Sequence, residues 1–135
     1  MAGKSNYLED MILNWLKGTA MGTSPAGLYV RLFTADPTDA GSTANECTTT
    51  IRAGGGVAAT FGSITTASGA NSMANTGTVD FGTAAGAVTG VSHFGIFDAA
   101  TGGNMLYSDA LTTPRNVALG AAVSFAAGAL VINEN

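Results

Sequence analysis

The sequence predicts a mainly β protein, a β-sandwich or jelly-roll-like domain of about eight strands preceded by one N-terminal amphipathic helix. Three observations lead there. Short runs with period-two alternation recur from Leu28 onward, separated by turns rich in Gly, Ser, Thr and Asn. A period near 3.6 appears once, ahead of Gly18. The length, 135 residues, suits one domain around one core, and no fixed-period repeat points to a solenoid or propeller. Residues 1–18 are therefore read as a helical arm or cover, 19–27 as a linker and 28–135 as the sandwich.

The helix carries its own punctuation. Asn6 is placed as N-cap with Glu9 three residues later, Asp10 in the first turn, Lys17 in the last and Gly18 as the stop. Leu8, Met11, Ile12, Trp15 and Leu16 fall on one stripe with Tyr7 at its margin. Exposing five such side chains forgoes about 1.5–3 kcal/mol each, so the stripe must dock. Two places remain open to it: its own sandwich, or a neighbouring subunit or partner reached through the Gly/Ser linker.

Leu28 to Phe33 alternates as a strand with both faces at least partly covered, and Ala35 to Glu46 reads as a polar loop opened by Asp36-Pro37. Cys47 to Ala53 and Val57 to Phe61 are strand-like runs around a Gly54-Gly55-Gly56 corner. Short strands are expected near Ser63–Thr66 and Thr76–Phe81, with the low-complexity TASGANSMAN between them as an adaptable loop. Ala87 to Phe97, Met105 to Leu111 with a break at Pro114, and one final strand from Ala121 to Ile132 complete the set.

Reactive side chains are scarce. His93 is the only histidine, and no His, Cys or paired carboxylate lies near it in sequence. Asp36, Asp39 and Glu46 share a loop of the kind that binds hard cations, yet without a calcium-loop pattern, and Asp before Pro is a turn initiator. Asp98 and Asp109 read as strand-end and turn residues rather than as a general acid and base. The triple glycine is not followed by a GK[ST] signature. Ser63, Ser92, Ser108 and Ser124 lack a nucleophile elbow, and Cys47 lacks a neighbouring activator. The expectation is a non-enzyme with no catalytic, cofactor or metal residues, in which Tyr7, Leu8, Met11, Ile12, Trp15 and Leu16 contact a partner or another subunit.

Composition narrows the partners. Charged residues make up 10% of the chain, against about a quarter in ordinary domains. The net charge is −4, and Lys4, Lys17, Arg31, Arg52 and Arg115 lie far apart, which offers nucleic acid no basic face. No segment reaches the ~20 apolar residues of a membrane span, and no signal peptide is evident. A single cysteine rules out an intrachain disulfide and fits synthesis in a reducing cytoplasm.

The segments KSNYLEDMILNWLKG, LYVRLFTADPTDAG, HFGIFDAATGGNMLYSDALTTPRNV and SFAAGALVIN resemble a family of small tailed-bacteriophage virion proteins, and the likeness covers most of the chain. Members are labelled tail-fibre proteins or assigned as capsid decoration (cement) proteins with a β-sandwich fold. The resemblance implies a decoration protein on the capsid exterior, a homotrimer bound to the major capsid protein, with no cofactor and no catalytic residue. The alternative is a tail or tail-fibre component touching the host, although the loops at Ala35–Glu46 and Thr66–Asn75 carry none of the aromatics that receptor binding favours. One departure stands in Val57-Ala58-Ala59, where relatives tend to carry a Tyr-Ala-Arg-like run.

Overall fold

Alternation along Leu28–Phe33 sends Leu28, Val30 and Leu32 to one side of a sheet and Tyr29, Arg31 and Phe33 to the other, and the last four of the six residues are buried. Both faces of this strand are thus covered, as its sequence predicts. The computed structural model describes residues 3–48, 51 and 55–134. The described residues form ten strands and one helix: β1 (Gly3–Lys4), α1 (Asn6–Leu16), β2 (Leu28–Phe33), β3 (Val57–Ala59), β4 (Thr65–Ala67), β5 (Ala70–Ala74), β6 (Val79–Thr83), β7 (Val88–Phe97), β8 (Met105–Val117), β9 (Ala122–Phe125) and β10 (Val131–Glu134). The mainly β class with its leading helix is as expected.

All strand pairs are antiparallel. One five-stranded sheet runs β1-β8-β7-β2-β3, a three-stranded sheet runs β10-β5-β4, and β6 pairs with β9. The core lies between the large sheet and the two small ones: Val30, Leu32, Val91, Phe94 and Ile96 meet Val79, Phe81, Leu130 and Ile132, with Ile51 added. Phe125 lies edge-on to Phe81 and tilted against Phe94, centroids 6.2 and 6.3 Å apart.

Four sequence expectations are corrected. The N-cap is Ser5, not Asn6: the Ser5 hydroxyl accepts the Leu8 N–H at 3.2 Å and also donates to the Met105 carbonyl, tying the cap to β8. TASGANSMAN is the β4–β5 hairpin. Ser68 and Gly69 hold φ +53° and +80°, the double positive φ of a type I′ turn, whose twist matches that of paired strands.

The strand ending at Leu111 instead continues through Pro114 to Val117. Pro114 is accommodated because the ladder shifts between Val91↔Arg115 and His93↔Ala110, leaving it in a bulge where no N–H is required. The final strand is two. It turns between β9 and β10 because Asn75, buried at 3% exposure, gathers that turn: its amide nitrogen donates to Ala126 O and Gly77 O, and its side-chain oxygen accepts from Leu130 N. Gly128 N–H adds a bond to Asn75 O at 2.8 Å.

Of the expected strand from Cys47 to Ala53, residues 49, 50, 52 and 53 lie outside the described residues, as does Gly54. Glu46 forms an isolated bridge with Phe33, and Cys47 N–H bonds Leu32 O at 2.8 Å.

Candidate functional site

Three places on the described structure have the makings of a site. The first is the outer face of the large sheet, where β2 presents Arg31 between Tyr29 and Phe33. Gly95 of β7 lies opposite Arg31; a Cβ there would come within 2.8 Å of the Phe97 ring and 3.2 Å of Phe33, so its absence lets these two rings stack at 6.1 Å. The Arg31 guanidinium lies over Phe97 at 3.9 Å and donates to Ala99 O and Gly102 O at 2.7 and 2.5 Å. Glu46 approaches to 3.6 Å from the other side.

Arg31 is 2% exposed and its Nε finds no partner. Burial pulls its pKa below the ordinary value, against the pull of Glu46 and Asp98. Burial also raises Glu46 above the usual carboxylate range, although Arg31 opposes this. Cys47 is pushed up to about 11, first by burial and then by the neighbouring Glu46, which keeps it a thiol at neutral pH.

Over this arginine closes the loop Asp98–Asn104. Asp98 accepts from Asn104 N–H and from its side-chain amide at 2.7 and 3.0 Å. Gly103, at φ +69°, has no room for a Cβ, which would collide with Asp98 Oδ1 and lie 2.7 Å from Ala99 Cβ. The GIFDAATGGN motif therefore encodes a loop fastened from beneath by an arginine. Asp36, by contrast, accepts from Thr38 N–H at 2.8 Å in a tight turn, so Asp36 and Glu46 serve different ends of their loop.

The second place is a cleft of about 640 Å³ between the far half of β8 and β9, floored by Leu32, Val91, Phe94, Phe125 and Leu130 and bordered by Asp109 and Arg115. Asp109 Oδ1 accepts from Ala110 N–H at 2.8 Å. His93 lies elsewhere on β7, paired with Phe33 and Ala110, and its Nδ1 is 2.8 Å from the Ser92 hydroxyl. Ser108 is buried in the ladder opposite Gly3 and Gly95, and Ser124 pairs with Asp80. Among the described residues no group of three or more His, Cys, Asp or Glu is arranged to hold a metal ion, and no helix is long and apolar enough to cross a membrane.

The third place is α1. Its β1 lead-in pairs with β8 through Gly3↔Ser108 and Lys4↔Tyr107, and Ser5 N–H bonds Leu106 O at 2.9 Å. Lys4 also meets Glu134 of β10 at 2.8 Å. The six residues singled out in the sequence do not share one fate. Leu8, Met11 and Ile12 are half-buried, while Tyr7, Trp15 and Leu16 are 41%, 57% and 68% exposed. Trp15 continues the docked stripe, at i+7 from Leu8, beyond the surface on which the helix rests. Every residue from Leu13 to Ala26 is exposed.

Sequence reasoning missed Leu13, 58% exposed off the stripe, because period analysis looks for what is buried; its signal was a leucine among polar positions. Arg31 was missed as well. Its signal was a lone cation inside an apolar strand, where a charge persists only with partners.

The fold is a mainly β one in which the buried Arg31 fastens a loop and the end of one amphipathic helix leaves Leu13, Trp15 and Leu16 exposed. A family model described as podophage GP4 fiber I protein gp80 matches residues 3–133. The chain belongs to that family, and so to the structural proteins of phage virions. No curated protein matches the chain.

Proposed function

We propose that this chain is a non-enzymatic building block of a podophage fibre, working through contact with other virion subunits. The fibre family matched over residues 3–133 carries this reading. The surface supports it: with 10% charged residues, a contact face is formed with little charge desolvation. The helical segment from Tyr7 to Leu16 serves as the contact, with other copies of the chain as its first partner; nucleic acid, membranes and cofactors have no part.

Capsid decoration is the second reading. The same neutral surface and half-docked helix suit a trimer on the capsid exterior that clamps major capsid proteins. Labelling of intact virions separates the two. Gold-tagged antibody or a cryo-electron microscopy map should find the chain in small copy number at the tail apparatus. Hundreds of copies spread over the head would reverse the order of the two readings.

A further inference from the structure

The solvent side of α1 is self-complementary, and we propose that it pairs with the same helix of a second copy in an antiparallel, two-fold contact centred on Leu13. Glu9, Leu13 and Lys17 fall at i, i+4 and i+8 and so form one row along the helix. Leu16 stands beside that row, and Leu13 and Leu16 are 58% and 68% exposed. The row has an acid at one end, a leucine in the middle and a base at the other.

A two-fold axis through Leu13 sets Leu13 against its mate and each Lys17 against the Glu9 of the other copy. The helix dipoles then also run in opposition. A parallel arrangement, as a three-fold axis requires, stacks Lys17 on Lys17 and Glu9 on Glu9. Charge pattern therefore selects the antiparallel pair, since rim charges set orientation and register more than strength.

The contact is small. Leu13 and Leu16 are 58% and 68% exposed, which leaves on the order of 200 Å² of apolar surface in water on this face. A two-fold contact covers about 400 Å², below the ~1,000 Å² of a standard specific interface, so the pairing is weak and the charge pattern carries its register. Glu9, Asp10 and Lys17 are the charges beside Leu13, and at the rim of so small a contact they keep most of their water. This names the partner surface for the self-assembly in the fibre function proposed above and rests on that reading; a trimer built on this helix, as in the second reading, would exclude it.

Sedimentation equilibrium of the full chain over a wide concentration range is the test. The wild type should pass from monomer to dimer. Leu13→Asp should weaken the association by about tenfold or more, and Lys17→Glu by about threefold, with Glu9→Lys added to Lys17→Glu restoring it. In a Cys47→Ser background, Leu13→Cys should give a covalent dimer on mild oxidation, because a residue on the axis faces its own copy; this readout survives if Leu13→Asp frays the helix. A monomer at every concentration overturns the pairing, as does a dimer or trimer indifferent to Leu13→Asp, a trimer abolished by it, or a charge swap without effect. Virion labelling is unaffected by any of these results, so the pairing and the fibre assignment fail separately.

Discussion

Arg31 is the residue whose removal should be felt most. Its Nη2 donates to both Ala99 O and Gly102 O, its plane covers Phe97, and Glu46 lies 3.6 Å from its Nη1. Arg31→Met takes away the cation and leaves a buried carboxylate with the loop carbonyls unpaired, so urea unfolding should show a loss of roughly 3 kcal/mol. Part of that should return when Glu46→Gln is added, as a double-mutant cycle will show. Glu46 itself has a pH signature. Its folded pKa is raised, first by burial, so the stability tied to its proton is complete below the unfolded value and is lost as pH rises through the folded one. Glu46→Gln should therefore melt no lower than wild type at neutral pH, and its advantage should shrink as pH falls to about 4, where free glutamate takes up its proton. A variant that melts lower at neutral pH, with the gap closing in acid, would show that the pull of Arg31 outweighs burial. The presence of Arg31 and Glu46 is plain in the sequence, but their meeting is not. They are brought together by the Phe33↔Glu46 bridge, a long-range contact that no local pattern announces.

Strands and turns divide according to how locally their causes are written. Val88–Phe97 and Leu28–Phe33 were legible because alternation over six or more residues is decided by the chain itself. The break between Ala122–Phe125 and Val131–Glu134 was not, because its cause is Asn75, about fifty residues upstream, whose side chain captures Ala126 O and Leu130 N. Asn75→Ala should leave those groups unpaired and cost about 2 kcal/mol or more, with Leu130 losing amide protection before the β7–β8 ladder does; uniform loss across both would deny the hub its role. The β4–β5 hairpin hid in a low-complexity run, since small polar residues carry no period. Its turn is Ser68-Gly69 with both φ positive. Asn leads at the first position of such turns, so Ser68→Asn should raise the melting temperature, by the equivalent of about 0.5 kcal/mol. A lowered melting point would mean that the turn is of another type.

At the scale of the whole molecule the question is whether the helix belongs to the fold or to the assembly, which its apolar stripe alone left open. None of its residues is buried, and the core is drawn from β2, β6, β7, β10 and the segments holding Ile51 and Leu130. Apart from the half-buried Leu8, Met11 and Ile12, what ties the helix down is its lead-in: two residue pairs with β8, Ser5 bonded to Met105 O and Leu106 O, Asn6 N–H on Asp39 O and the Lys4–Glu134 pair. These are hydrogen bonds of about 0.5–1.5 kcal/mol each and an exposed ion pair of at most about 1 kcal/mol, offset by the ordering of a flexible end. Deleting residues 1–17 should therefore lower stability by roughly 2–4 kcal/mol while leaving one cooperative transition and the near-ultraviolet signature of the Phe81, Phe94 and Phe125 cluster. The same deletion should abolish self-association and incorporation into virions, because it removes the apolar surface the domain leaves unused. A truncated chain that melts without cooperativity would make the helix part of the core. A folded one that still enters virions in normal copy number would move the assembly contact to another face.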